Sequence, residues 1–141
     1  MGNYYSYKRI STDIERQNFT RQIKSLERYA KDHDIEYLID FTEEKSAKNF
    51  TDRPQFKKLD KLLQAGDTVV FKDLYRFNRE AENGYKKYME WLDRGINMVF
   101  LDNPTVSSDY IRQMMTTAEQ QDIVTKTAME SIIKLLIIVE L

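Results

Sequence analysis

The sequence predicts an α/β domain: a mainly parallel sheet of four to five strands layered with helices, with an apolar helix at its C-terminal end. Short runs rich in aromatic and β-branched residues alternate with stretches of helical spacing, the pattern of a parallel sheet joined through helices. Thr68-Val69-Val70-Phe71 is apolar without interruption, as befits a strand covered on both faces. Only 4 Gly and 2 Pro occur in 141 residues, so the turns are short and few helices are broken.

Asn3 to Ile10 is aromatic-rich and bounded by Ser-Thr-Asp, which marks a first strand. Thr20 to Asp32 carries Ile23, Leu26, Tyr29 and Ala30 at the spacing of an amphipathic helix. Glu36 to Phe41 reads as the second strand, and the polar, aperiodic stretch Thr42 to Asp52 as a mobile loop. A loop of that length is uncommon unless it is functional. Pro54 opens the next helix where its missing N–H does no harm, and Phe56, Leu59, Leu62 and Leu63 form its apolar face. After the strand 68–71, Glu80 to Arg94 is helical with Tyr85, Tyr88, Met89 and Leu92 inward, and Gly95 closes it. Ile96 to Leu101 is a fourth strand, stopped by Asp102-Asn103-Pro104. Tyr110 to Gln121 is Met-rich and helical but weakly anchored by its pattern. From Ala128 the chain turns strongly apolar up to Leu141. That run is too short to span a bilayer, which needs about 20 apolar residues, and it ends without a cap, as if cut inside a helix. A helix apolar nearly all round must be buried against something, and a second subunit is the favoured cover.

Composition excludes several classes. Without cysteine there is no disulfide framework, thiolate nucleophile or thiolate metal site. The single histidine, His33, lies in a charged helix end and is ill placed for acid–base work. No N-terminal apolar segment resembles a secretory signal, so the cytoplasm is the expected compartment. The net charge of −1 is not that of a free-standing DNA-binding domain. Lys45, Lys48, Arg53, Lys57, Lys58 and Lys61 nevertheless cluster in a short span; such a run is either a solvated face or a local basic patch. Neither a Gly-rich phosphate loop nor a Walker motif is present, which argues against nucleotide binding.

The chemically informative residues lie at strand ends. In Tyr7-Lys8-Arg9-Ile10-Ser11-Thr12, alternate residues of a strand share a face, so Tyr7, Arg9 and Ser11 converge. Ligands of open α/β sheets sit beyond the carboxyl ends of the strands, and both Ser11 and Arg76 follow such ends. A hydroxyl among guanidinium groups suits a phosphodiester, whose oxygens match the planar forks of arginine. Arg9, Arg53, Arg76 and Arg79 could clamp the charge that spreads over the phosphate in the transition state. Arg76 and Arg79 would share one face of a helical turn, and Arg53, at the end of the polar loop, could close over the phosphate. With no histidine nearby, a hydroxyl pKa lowered by arginine, a carboxylate or water must activate Ser11. The competing reading gives Ser11-Thr12 to a helix cap and the arginines to surface ion pairs.

Four segments resemble the serine recombinase family of resolvases, invertases and large serine integrases, in the family's order. They are Tyr7-Lys8-Arg9-Ile10-Ser11-Thr12, the Gln22 position in the first helix, Thr51-Asp52-Arg53-Pro54-Gln55-Phe56 and Asp73-Leu74-Tyr75-Arg76-Phe77-Asn78-Arg79. The resemblance implies that Ser11 joins to a DNA 5′-phosphate and frees a 3′-hydroxyl. Arg9, Arg53, Arg76 and Arg79 would hold the scissile phosphate, supported by Tyr7, Gln22 and Tyr75, with neither metal nor other cofactor. It further implies a double-stranded DNA partner, a homodimer or homotetramer built by the C-terminal helix, and no membrane role. Residues 1–105 would form the catalytic domain and residues 106–141 a linker and the start of the oligomerisation helix, with the DNA-binding domain outside this chain. Tyr75 stands where many resolvases have Asp, a departure shared with transposon-type large recombinases. It keeps open a non-catalytic relative that assembles and binds or regulates DNA. The family's Gly before the last motif arginine is Asn78 here, and its Gly in the loop after the second strand is also missing.

Overall fold

The computed structural model describes residues 2–9, 16–44, 53–77 and 81–119. Its elements are β1 (Tyr4–Arg9), α1 (Arg16–Asp32), β2 (Tyr37–Glu43), α2 (Pro54–Leu62), β3 (Thr68–Phe71), α3 (Leu74–Phe77), α4 (Ala81–Asp93), β4 (Asn97–Phe100) and α5 (Ser108–Glu119), with a 3-10 turn at Pro104–Val106 before α5. The four strands form one parallel sheet in the order β2-β1-β3-β4. The α/β class and all four strands agree with the sequence reading. The apolar run 128–141 lies outside the described residues.

Parallel register puts Tyr5, Tyr7 and Arg9 on the same sheet face as Phe41, Glu43, Val69, Phe71, Met98 and Phe100. That face meets Phe56 and Leu59 from α2, Leu63 just after it, and Tyr88, Trp91 and Leu92 from α4, forming the core. Trp91 is its largest wholly buried side chain and stacks on Phe56 with centroids 5.2 Å apart. On the opposite face α1 packs against β1 and β3, and its Phe19, Ile23 and Leu26 line an open groove with Lys8, Asp40 and Thr42. Helices therefore cover both faces, which is why β3 can be apolar throughout.

Several boundaries differ from the sequence reading for physical reasons. Strand β2 continues through Thr42 and Glu43 because β1 offers ladder partners as far as Arg9. Helix α1 extends back at least to Arg16, since nothing before Thr20 breaks a helix. Leu62 is 43% exposed whereas Leu63 is buried, so the apolar face of α2 turns at its end. Helix α5 is firmly held rather than loosely anchored. Ser108 Oγ accepts from Met98 N–H at 2.7 Å, and Arg112 donates to the Leu92 and Ile96 carbonyls at 3.1 and 2.8 Å. Ile111 is fully buried beneath it. These ties are polar contacts to main chain, which an apolar pattern does not reveal.

Gly95 ends α4 with φ of 79°, a conformation that glycine tolerates without strain. Its N–H bonds Leu92 O at 3.1 Å and its carbonyl accepts from Gly66 N–H at 2.9 Å, which ties the ends of α4 and α2 together. Asp60 joins the same helices, accepting from Lys87 Nζ at 3.0 Å, Trp91 Nε1 at 2.8 Å and Arg94 Nη1. Burial alone would raise the Asp60 carboxyl, but these hydrogen bonds outweigh it and hold its pKa below the ordinary value. Among the described residues no helix is long and apolar enough to cross a membrane.

Candidate active site

The chain runs from β1 to β2 on one side and then crosses to β3 on the other, so the connections diverge between β1 and β3. A crevice at the carboxyl ends of the strands is expected at such a switch point. Arg9 is the last residue of β1, and α3 follows β3 by two residues. Both therefore stand at the same edge of the sheet.

Arg9 is almost wholly buried and its main chain is held by α1. Gln22 Nε2 donates to Arg9 O at 3.0 Å, and Arg9 N–H donates to Gln22 Oε1 at 3.1 Å. The side-chain amide thus takes the place of a neighbouring strand at the residue where the ladder ends. With Gln22 only 1% exposed, both bonds are shielded from water.

Arg53 immediately precedes α2 and is fully buried. Its guanidinium lies over the Phe56 ring at 4.2 Å and the Tyr7 ring at 5.0 Å, within range of cation–π attraction. Nε donates to Tyr7 Oη at 3.1 Å, Nη2 to Arg76 O at 2.9 Å and Nη1 to Phe77 O. Burial lowers its pKa, with Tyr7 offsetting and the Arg9 charge adding to that effect. A guanidinium stays protonated even so. Arg53 therefore stands apart from the exposed Lys57, Lys58 and Lys61 of α2, with which the sequence had grouped it.

Tyr7 Oη donates in turn to Glu43 Oε2 at 3.2 Å, and the same oxygen accepts Phe56 N–H at 3.0 Å. Burial pushes the Tyr7 phenol far above its ordinary range, Arg53 lowering it in part and Glu43 raising it further. Tyr7 thus serves near neutral pH as a hydrogen-bond relay and keeps its proton. Glu43, only 1% exposed, was missed by the sequence reading, which assigned it to the loop. Strand alternation carried two residues further, through Phe41 to Glu43, would have placed it on the face of Tyr7.

Helix α3 is described over one turn, Leu74–Phe77. Asp73 Oδ1 accepts Arg76 N–H at 3.0 Å at its start, and Phe77 packs edge-on against Phe71 and Trp91 with centroids at 5.5 and 5.4 Å. Arg76 is 6% exposed. The structure thus brings Tyr7, Arg9, Gln22, Arg53 and Arg76 together, with Glu43 among them. Ser11, Arg79 and the side chain of Tyr75 lie outside the described residues. Also among the described residues, no group of three His, Asp or Glu side chains is placed to hold a metal ion.

A parallel sheet in this order, with buried arginines gathered at the carboxyl ends of its central strands, defines an α/β domain with a cationic sheet edge. Residues 4–134 match the family model described as resolvase, N terminal domain. The chain belongs to that family. No curated protein matches it. Among solved structures, the N-terminal catalytic domain of TP901-1 integrase superposes with a TM-score of 0.65 at 15% identity, covering 95% of this chain and 92% of that one. A resolvase family site-specific recombinase from Streptococcus pneumoniae gives 0.66 at 19% identity, covering 96% and 87%. The C-terminal catalytic domain of ISC1926 TnpA, an IS607-like serine recombinase, gives 0.59 at 18%, covering 95% and 98%. At such identities the likeness is one of fold.

Proposed function

We propose that this chain is the catalytic part of a site-specific DNA recombinase that cuts and rejoins double-stranded DNA through a phosphoserine at Ser11. The observation that carries the reading is the gathering of Arg9, Arg53, Arg76 and Tyr7 at the carboxyl edge between β1 and β3, two residues before Ser11. Ser11 Oγ attacks the phosphorus, the bond to the 3′-oxygen breaks, and the 3′-hydroxyl departs with a proton. The DNA 5′-phosphate remains esterified to Ser11. Attack by a 3′-hydroxyl on that ester reverses the step and releases the serine. Since one phosphate ester replaces another, joining requires neither metal nor a high-energy cofactor.

Arg9, Arg76 and Arg79 neutralise the non-bridging oxygens in this reading. A single arginine in related phosphoryl transfers accelerates the reaction by about a thousandfold or more. Gln22 holds the main chain that leads to Ser11, and Tyr7 and Tyr75 support the arginines. Residues 1–105 supply the chemistry, and the apolar run 128–141 packs against a second copy to build a dimer or tetramer in the cytoplasm.

The test is a covalent adduct between full-length protein and DNA carrying its recombination site, lost in Ser11→Ala. An adduct that persists in that variant would refute the nucleophile. Tyr75, standing where the family pattern has Asp, favours a second reading in which the chain assembles on DNA without cutting it. Site-specific binding by wild-type protein with no adduct under any condition would select that one.

A further inference from the structure

We propose that Arg53 is a positioning residue that sets the main chain of α3, and through it Arg76, without touching the phosphate itself. This deepens the recombinase reading and rests on it. A side-chain donor bonded to main-chain carbonyls fixes the backbone that bears them. In α3 the main chain is held in this way from outside. Arg53 donates to two successive carbonyls, Arg76 O and Phe77 O, while Asp73 accepts the Arg76 N–H at the other end. The fork geometry of arginine suits two adjacent acceptors in a way that a lysine ammonium does not.

The rest of the side chain is committed to the same task. Nε is held by Tyr7, whose hydroxyl is held by Glu43, and Glu43 also takes the first-turn N–H of Phe56. Residues of β1, β2 and α2 therefore fix the angle from which the guanidinium grips α3. Phe56 and Tyr7 lie against its faces. For Arg53 to reach a phosphate it would have to release two buried carbonyls and leave both rings. Arg76, by contrast, rides on the segment that Arg53 holds.

Two measurements on the full-length chain test this role. The first is hydrogen exchange of the free protein over residues 74–77 in Arg53→Ala and Arg53→Lys. Exchange is expected to rise about tenfold or more in Arg53→Ala and by a lesser factor in Arg53→Lys. The second is cleavage of the DNA on which wild-type protein forms its adduct, with the scissile phosphate intact or replaced by a neutral methylphosphonate. A misplaced α3 should lower cleavage about a hundredfold on both substrates, with site binding nearly unchanged. Restoration of Arg53→Ala activity on the methylphosphonate would overturn the proposal, because only a residue that neutralises the phosphate becomes dispensable there. Unchanged exchange over 74–77 would overturn it as well. Should Arg53→Ala fail to fold, Arg53→Lys decides on both readouts. If wild-type protein forms no adduct, the recombinase reading fails by itself, and hydrogen exchange still judges the grip on α3.

Discussion

Replacing Gln22 by alanine is the most direct probe of how α1 governs the end of β1. The change deletes a donor and an acceptor that serve the Arg9 carbonyl and N–H at 3.0 and 3.1 Å in a site only 1% exposed. A buried polar group left unsatisfied costs about 1–3 kcal/mol, and two are stranded at once. Water entering the space vacated by the side chain would recover part of that, so we expect a net loss of about 2–4 kcal/mol. For a chain of this size such a loss lowers the melting temperature by roughly 10 °C. Gln22→Glu sharpens the test. Its ionised carboxyl still accepts from Arg9 N–H but faces the Arg9 carbonyl with a lone pair, whereas the protonated acid donates to that carbonyl. Burial and the carbonyl raise the folded pKa of the introduced group. The variant should therefore be most stable below the unfolded value of about 4.3 and lose that stability as pH rises through the folded value. Thermal melts followed by circular dichroism between pH 4 and 8, each compared with wild type, read both effects. A Gln22→Ala melt equivalent to less than about 0.5 kcal/mol of change, or a Gln22→Glu curve parallel to wild type, would refute the reasoning.

Two further outcomes follow from contacts elsewhere in the fold. Asp60→Ala should destabilise by about 1–2 kcal/mol, the partial exposure of the site limiting the loss, as measured by urea denaturation. Because the folded Asp60 pKa is depressed, its contribution is present above the unfolded value of about 3.9 and fades as pH falls through the folded one. Wild-type stability should accordingly drop more steeply than that of Asp60→Ala on acidification; parallel curves would discount the role of this carboxyl. Ser108→Ala strips the Met98 N–H of its acceptor and the Met98 carbonyl of a donor, with an expected cost of about 1–3 kcal/mol and faster amide exchange along β4. A change confined to α5 would show that Ser108 secures the helix alone.

Strands and helices were legible because their signals are local. The alternation of apolar runs with amphipathic segments placed all four strands, and Thr68–Phe71 was read to the residue. The sheet edge followed from topology, whereas the helical turn carrying Arg76 was only a condition placed on its pairing with Arg79. What the sequence concealed was the assignment of polar groups to partners distant along the chain. Arg53 looked like a loop residue able to swing because nothing near it in sequence shows that its acceptors are carbonyls 23 and 24 residues away. Glu43 looked like loop polarity because its two donors come from β1 and from the first turn of α2. Helix α5 looked loose because, besides the buried Ile111, its anchors are a serine hydroxyl and an arginine on main-chain carbonyls. Trp91 escaped the list of inward residues because α4 is apolar over a wide arc, and spacing alone does not say which edge of that arc is deepest.

Both grips on the cleft, Gln22 on Arg9 and Arg53 on α3, close on main-chain atoms. An amide or carbonyl is the same whatever residue bears it. Side chains along the held segments are thus free to diverge without shifting the scaffold beneath them, provided Phe77 keeps its place in the aromatic core. Position 75 is the natural target: a library randomised there would sample new cleavage chemistry on an unmoved backbone.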